Sequence, residues 1–418
     1  MDVVVAGQGY VGLPLAVRAA EAGHRVVGYD VDTDRIKQLT AGQSYVQDVP
    51  SSRLRAVLEA GAYSATADVG ALAGYDIALI TVPTPLRDGV PDLTYVESCA
   101  RTLGEHLRPG AAVVLESTTY PGTTEELLLP VLEETSGLKG GMDFFAGFSP
   151  ERIAPGNKRW SFGGTPKLVS GIDAASLRVI KGFYDGIFQT TVPVSEPKVA
   201  ELAKLIENTF RLVNISMINE LATLAKPLGV NIWEAIDAAA TKPFGFTRFT
   251  PGPGVGGHCL PVDPLFLSWK VQQELGVPFR FVELAADVNR QMPGYVVQRL
   301  TEALVSRGKP VSGSRILLLG LTYKINATDL RESPSARVAE LLTGLGAEVR
   351  SADPNIPDGD DAKLKVRRVD ATPEEIAASD AVVLLMDHAR FDLAMIQENA
   401  PYVLDCRNRM SGVNIEVL

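Results

Sequence analysis

The residues with the most chemistry in this sequence lie in the run PGPGVGGHCLPVDP, residues 251–264. Gly and Pro ahead of a His-Cys pair make a rigid loop with little side-chain cover. Such a loop suits close approach of a substrate to one thiol. A lone cysteine is more often a small buried hydrophobe. That plainer reading suits Cys99, within the helix-like run LTYVESCARTLGEHL, and Cys406, beside a strand. It suits Cys259 badly, because no apolar periodicity surrounds it, and Asp263 follows four residues on. His258 raises the question of a metal, but no second ligand pair stands at a recognised spacing, so no metal site is expected. Lys204, Asn208 and Arg211 stand at i, i+4 and i+7 and share one face of a helix. Such a stripe is usually a solvated face; the presence of Cys259 elsewhere favours a functional one. Two further candidates follow strands, where open α/β sheets place ligands. They are Glu116-Ser-Thr118-Thr119 and Ser149-Pro-Glu151-Arg152, and either could be mere turn chemistry.

A second kind of chemistry sits near the N-terminus. Gly7-Gln-Gly9-Tyr10-Val11-Gly12 follows the strand DVVVA and opens a helix. The glycines permit a tight turn, close approach of a pyrophosphate and close helix–strand packing, with helix amides facing the phosphates. Asp30 ends the second strand, where a carboxylate suits a ribose 2′-hydroxyl and repels a 2′-phosphate, so NAD is expected. Arg35 is a mild counterweight, able to face the adenosine ribose or a phosphate.

These residues need a scaffold, and its periods are legible. Buried-strand runs fall at residues 2–6, 25–30, 77–82, 112–117 and 144–148, alternating with helical stretches such as 13–23. From residue 198 to 226 apolar residues recur at helical spacing: Val199, Leu202, Ile206, Phe210, Val213, Met217, Leu221 and Leu224. So long a helix reads as a connector and subunit interface. A shorter helix is expected over 231–241, a loop over 249–264, and further helices to about 304. Strands return at 315–319, 348–352, 381–386 and 402–405, with a helix at 335–345. The expected fold class is α/β, with two Rossmann-like parallel-sheet domains joined by a long central helix and a helical dimerisation region. The expected boundaries are 1–195, 196–305 and 306–418. A net charge of −10 argues against coating nucleic acid or an anionic membrane. Sparse cysteines, no signal-like N-terminus and no long apolar run point to a cytoplasmic protein.

Eight ordered segments carry a family resemblance over essentially the whole chain: GQGYVGLPLA, VPTPL, ESTTYPGTT, SPERIAPG, ELAKLIENTFR, PGPGVGGHCLPVDP, GLTYKINATDLRESP and DCRN. The sequence resembles the UDP-glucose/GDP-mannose dehydrogenase family. The resemblance implies an NAD-binding domain, a homodimer-forming middle and a C-terminal sugar-nucleotide domain. It also implies a four-electron oxidation at C6 of a nucleotide sugar. Cys259 would be the nucleophile, passing through thiohemiacetal and thioester. Lys204, Asn208 and Asp263 would stabilise the oxyanion and position water, and Thr118 and Glu151 would assist proton transfer and hydrolysis. Gly7, Gly9, Tyr10, Val11, Gly12, Asp30, Arg35, Pro83, Thr84, Thr118 and Arg331 would meet the cofactor. Glu151, Arg152, Lys204, Asn208, Arg211, Phe249, Gly254, Gly257, Lys324 and Arg407 would meet the substrate. Arg248 either reaches a substrate phosphate or is a surface charge.

The SPER version of the fourth segment resembles the branch acting on UDP-N-acetylhexosamines, where the UDP-glucose branch typically reads NPEFLREG. UDP-glucose or dTDP-glucose stays open as substrate. The uronate would feed a surface polysaccharide or a decorated secondary metabolite. A two-electron β-hydroxyacid dehydrogenase also combines a Rossmann domain, a long helix and a Lys–Asn pair, but lacks the cysteine loop. A non-catalytic nucleotide sensor is the remaining alternative.

Overall fold

The computed structural model describes residues 1–46, 48–152, 162–257, 259–326, 328–356 and 366–418. They divide into two compact units. One is Met1–Glu207 with Trp269–Gly276; the other is Asn208–Ser268 with Val277–Leu418.

The first unit is built on six parallel strands: β1 (Asp2–Ala6), β2 (Arg25–Tyr29), β3 (Tyr63–Thr66), β4 (Ile77–Ile80), β5 (Ala112–Leu115) and β6 (Phe145–Phe148). Their spatial order is β3-β2-β1-β4-β5-β6. Side chains alternate across a strand. Val3 and Val5 of β1 therefore pack into one core with Leu13 and Ile77, while Val4 and Ala6 pack into another with Ile80 and Leu115. Burial on both faces is why these strands read as continuous apolar runs. The order reverses between β1 and β4, and the loops leaving β1, β4, β5 and β6 share the carboxyl edge.

The second unit repeats this order with β7 (Arg315–Leu319), β8 (Glu348–Ala352), β9 (Arg367–Arg368), β10 (Ala381–Leu384), β11 (Val403–Asp405) and β12 (Ile415–Val417). The sheet runs β9-β8-β7-β10-β11-β12, all parallel. Ile316 and Leu318 enter one core and Leu317 and Leu319 the other. The expected strands are present, with ends trimmed by one or two residues. β3, β9 and β12 have no counterpart among the expected strands: they are short, and all three lie at sheet edges.

The helices hold one correction. Pro197–Ala225 is a single helix, as its periodicity predicts, and Pro227 cannot continue it. The expected loop over 249–264, however, ends early, because a helix begins at Cys259 and runs to Leu275. Pro261 falls in its first turn, where an N–H would have no intrahelical partner, so proline costs nothing there. Pro264 lies inside the helix. Proline read as a breaker was the error.

One polar knot in the second unit ties the last strand to its helices. The Glu416 carboxylate accepts from Arg299 at 2.6 Å, from Lys226 and from the Tyr402 hydroxyl at 3.1 Å. Burial alone raises this carboxyl, but hydrogen bonds from Lys226 and Arg299 overturn that and bring it down to about 2. A depressed folded-state value gives stability that is present above the unfolded carboxyl value and lost as pH falls toward 2. Glu416→Gln should therefore cost about 2 kcal/mol near pH 7, after discounting for its partial exposure. In denaturant titrations at several pH values, the gap between wild type and variant should narrow steadily below about pH 4.

Candidate active site

The glycine loop after β1 forms a cradle. A Cβ on Gly12 would lie 1.8 Å from the Gly7 carbonyl oxygen and 2.4 Å from Thr81 Oγ1, so the helix can approach the strand only with glycine there. A Cβ on Gly9 would meet nothing within 4 Å, which leaves room for a ligand against the backbone. The helix Gly12–Glu21 starts after Val11 with no side-chain cap, so its N-terminal dipole faces the loop. Tyr10 is exposed at the tip and Val11 half-buried.

Gln8, which the motif leaves unspecified, is the keystone of this loop. It is fully buried, donates to the Val5 carbonyl at 2.8 Å and accepts from the Tyr63 hydroxyl at 2.8 Å. Its backbone N–H donates to Asp30 at 2.7 Å. Asp30 also accepts from the Asp32 N–H at 3.0 Å and from Arg35 at 2.8 Å. Arg35 thus faces a carboxylate, and its guanidinium lies 5.6 Å from the centre of the Tyr45 ring. That weakens it as a 2′-phosphate site. Pro83 is exposed, and the buried Thr84 hydroxyl donates to the Thr118 carbonyl at 2.8 Å, bringing two expected pocket residues together. Open glycine backbone, an uncapped helix start and a carboxylate after β2 all fit NAD.

Along the same edge, the long helix is locked to the loop beyond Thr118. Glu201 is fully buried and accepts from Gly122 N–H at 2.6 Å, Thr124 N–H at 3.0 Å and Thr124 Oγ1 at 2.7 Å. Burial raises its carboxyl, and these donors oppose the rise. Lys204 follows Glu201 by three residues on this helix. Arg152 pairs with Glu207 at 2.6 Å and donates to the Pro166 carbonyl at 2.8 Å, so helix and loop already engage it. Residues 153–156 of the SPERIAPG segment lie outside the described residues, as does His258.

In the second unit Cys259 is exposed at the first position of its helix. Asp263, one turn on, is 2% exposed and accepts from the Asn208 amide at 2.6 Å. Asn208 and Asp263 are therefore brought together, on the turn that carries Cys259. The preceding loop is held by two asparagines that the motif does not advertise. Asn219 accepts from Gly252 N–H at 3.0 Å. Asn289 accepts from Val255 N–H at 2.5 Å and donates to the Val255 carbonyl at 2.9 Å. Asn219 is buried and Asn289 half-buried, and a polar residue on an otherwise apolar helix face was the available signal. Gly257 has φ +87°, and a Cβ there would meet the Tyr323 ring at 2.5 Å; its N–H donates to the Arg331 carbonyl at 3.1 Å. Gly254 lies against Pro334 and Asn289.

Arg407 reaches this loop: a Cβ on Gly252 would lie 2.9 Å from its Nη1. Its Nε donates to the Leu385 carbonyl at 2.6 Å, and burial pushes its basicity down. Among the described residues no carboxylate is within ion-pair range of that guanidinium, although Asp387 and Asp405 lie near enough to act on it. Lys324 is half-buried, its carbonyl accepting from Thr322 Oγ1 at 3.2 Å. Arg331 forks onto Asp329, 2.7 Å at the nearest. Arg248 pairs with Asp237 at 2.7 Å, both exposed, which favours the surface-charge reading. Phe249 packs edge-on against Phe210 at 6.0 Å, and Arg211 is exposed.

Such a fold and cradle define a dinucleotide-binding protein of the doubly wound α/β class. Sequence comparison matches residues 1–188, 198–291 and 317–412 to the NAD binding, central and UDP binding domains of the UDP-glucose/GDP-mannose dehydrogenase family. The chain is 36% identical to the UDP-N-acetyl-D-mannosamine dehydrogenase of Pyrococcus horikoshii, covering 94% of this chain and 90% of that one. It is 37% identical to a UDP-N-acetyl-D-glucosamine 6-dehydrogenase of Pseudomonas aeruginosa, over 94% and 91%. The solved P. horikoshii structure superposes with TM-score 0.91, covering 100% of this chain and 98% of that one at 34% identity. A UDP-glucose dehydrogenase of Pyrobaculum islandicum gives 0.88, over 100% and 96% at 31%. The chain belongs to the UDP-glucose/GDP-mannose dehydrogenase family and is an NAD-dependent nucleotide-sugar 6-dehydrogenase.

The cradle makes its own prediction. Gly12→Val drives a side chain into the Gly7 carbonyl, so calorimetric NAD affinity should fall by at least about a hundredfold.

Proposed function

We propose that the substrate is a UDP-N-acetylhexosamine, oxidised at C6 to the uronate through a covalent bond to Cys259. The SPER segment and the named activities of two relatives support the N-acetylated sugar. UDP-glucose is the second reading, favoured by the likeness to the P. islandicum enzyme.

The observation that carries the covalent mechanism is an exposed Cys259 at a helix start, one turn before a buried Asp263 bonded to Asn208. A helix N-terminus stabilises negative charge on the sulfur. Cys259 Sγ adds to the C6 aldehyde to give a thiohemiacetal, and loss of a second hydride gives a thioester. Water then attacks the acyl carbon, and the Cys259 thiolate leaves. Lys204 and Asn208 supply donors to the oxyanions, which is usually the largest catalytic term of this kind. Asp263 orients the Asn208 amide. Thr118 and Glu151 handle the protons of water attack. Gly7, Gly9 and Gly12, with Asp30 after β2, would hold NAD, which would supply the hydride acceptor for both oxidations. Arg407 and Lys324 bind the diphosphate, while Arg331, paired with Asp329, belongs to the cofactor side.

Wild type and Cys259→Ser run on UDP-GlcNAc, UDP-ManNAc, UDP-GalNAc, UDP-glucose and dTDP-glucose should separate the readings. Two NADH per N-acetylated sugar are expected, with turnover in the variant down about a thousandfold or more. One NADH per sugar, unchanged in the variant, would promote the two-electron chemistry.

We also infer a homodimer. Leu202, Ile206, Phe210, Met217, Leu221 and Leu224 of the long helix are exposed, and a contiguous apolar stripe of this kind usually meets a partner. Phe210→Glu should convert the species seen by light scattering to monomer; an unchanged dimer would place the interface elsewhere.

A further inference from the structure

Lys167 opens the short strand Lys167–Val169, which pairs with Thr191–Pro193. Neither sequence motifs nor the mechanism above uses it. Yet its side chain is 2% exposed and bonds a fully buried Glu116 at 2.5 Å. Taking two charges out of water costs several kcal/mol each, and an apolar pair of the same shape is often as stable. Stability alone does not account for this pair.

Its geometry does. The ammonium has three protons and meets three acceptors: Glu116 at 2.5 Å, the Pro150 carbonyl at 3.2 Å and the Ser149 carbonyl at 3.4 Å. Those two carbonyls belong to the residues directly before Glu151. The other Glu116 oxygen accepts from the Tyr184 hydroxyl, and Glu116 stands two residues before Thr118. Ser149 Oγ donates to the Leu168 carbonyl at 2.6 Å, sewing the β6 exit to the strand that bears Lys167. The Tyr184 and Phe188 rings lie 5.2 and 5.5 Å from the ammonium and wall it from water. Burial holds the Glu116 carboxyl above the ordinary range, Lys167 pulls it down, and the Glu151 charge raises it. The two carboxylates are thus close enough to feel each other.

We propose that Lys167, bracketed by Glu116 and Tyr184, is a positioning residue that fixes Glu151 relative to Thr118. This rests on the reading of Thr118 and Glu151 as proton-handling groups. A buried bracket of three acceptors around one point charge sets the separation of two strand exits, and misplacement by about 1 Å is enough to cost a large factor in rate.

The test compares wild type, Lys167→Met/Glu116→Gln, Glu151→Gln and the triple variant. The paired substitution removes both charges at similar volume, so no orphan ion is left behind. For Lys167→Met/Glu116→Gln, the expected KM values for NAD and UDP-sugar stay within about twofold, while kcat falls at least about tenfold. The acidic limb of the pH–kcat profile should move. In the Glu151→Gln background the paired change should add no further loss, because its effect passes through Glu151. Wild-type kcat in the paired variant, or losses that multiply with Glu151→Gln, would overturn the proposal. Glu151→Gln with unchanged kcat and profile would instead remove the role of Glu151 itself. Should the paired variant fail to fold, Lys167→Arg decides: it keeps the charge but changes its reach. It should lose kcat at unchanged KM, and wild-type kcat there would refute the bracket.

Discussion

A carboxylate that is 2% exposed needs a donor, and Asp263 takes one from the Asn208 amide at 2.6 Å. Burying such a group without compensation would cost several kcal/mol. The bond therefore fixes the rotation of the helix that begins at Cys259 against the long helix. Asn208, Cys259 and Asp263 are then three consequences of one constraint rather than three independent placements. The loop before Cys259 obeys it too, since Asn219, on the same long helix, holds Gly252.

Two sheets with one strand order serve different ends, and the acid after the second strand shows how. Asp30 divides its carboxylate among the Gln8 and Asp32 amides and the Arg35 guanidinium, beside open glycine backbone. Asp353, its counterpart after β8, accepts from the Leu321 and Thr322 amides at 2.7 and 3.1 Å and from His388 Nε2 at 3.0 Å. His388 Nδ1 in turn accepts from the Asn326 N–H at 2.9 Å, which puts the ring proton on Nε2. The second acid is spent on shaping its own loop, and no G-x-G-x-x-G precedes it. The contrast falls between residues 1–188, which match the family's NAD binding domain, and residues 317–412, which match its UDP binding domain.

Most of the scaffold was legible because burial on both sheet faces forces continuous apolar runs, and the long helix writes its period in its leucines and isoleucines. The glycine cradle was legible for the same reason: only glycine fits where Gly12 sits. What stayed hidden was whatever depends on pairing across distance. Glu201, Asn219, Asn289 and Lys167 have no local pattern, since each acts on backbone far along the chain. Edge strands such as Arg367–Arg368 bury too little to impose a period. The Cys259 helix was hidden by its own prolines: Pro261 is tolerated because it falls in the first turn, and Pro264 lies inside the helix all the same.

Burial divides the three thiols sharply. Cys99 and Cys406 lie in the two sheet cores, and desolvation pushes both up to about 12. Neither forms appreciable thiolate near neutrality, and neither offers an approach path. Cys259 alone is exposed. The folded chain therefore behaves toward electrophiles as a one-cysteine protein. A maleimide or iodoacetamide reporter would attach at a single address without any engineering of the sequence, and a second equivalent of label would signal that one of the sheet cores has opened.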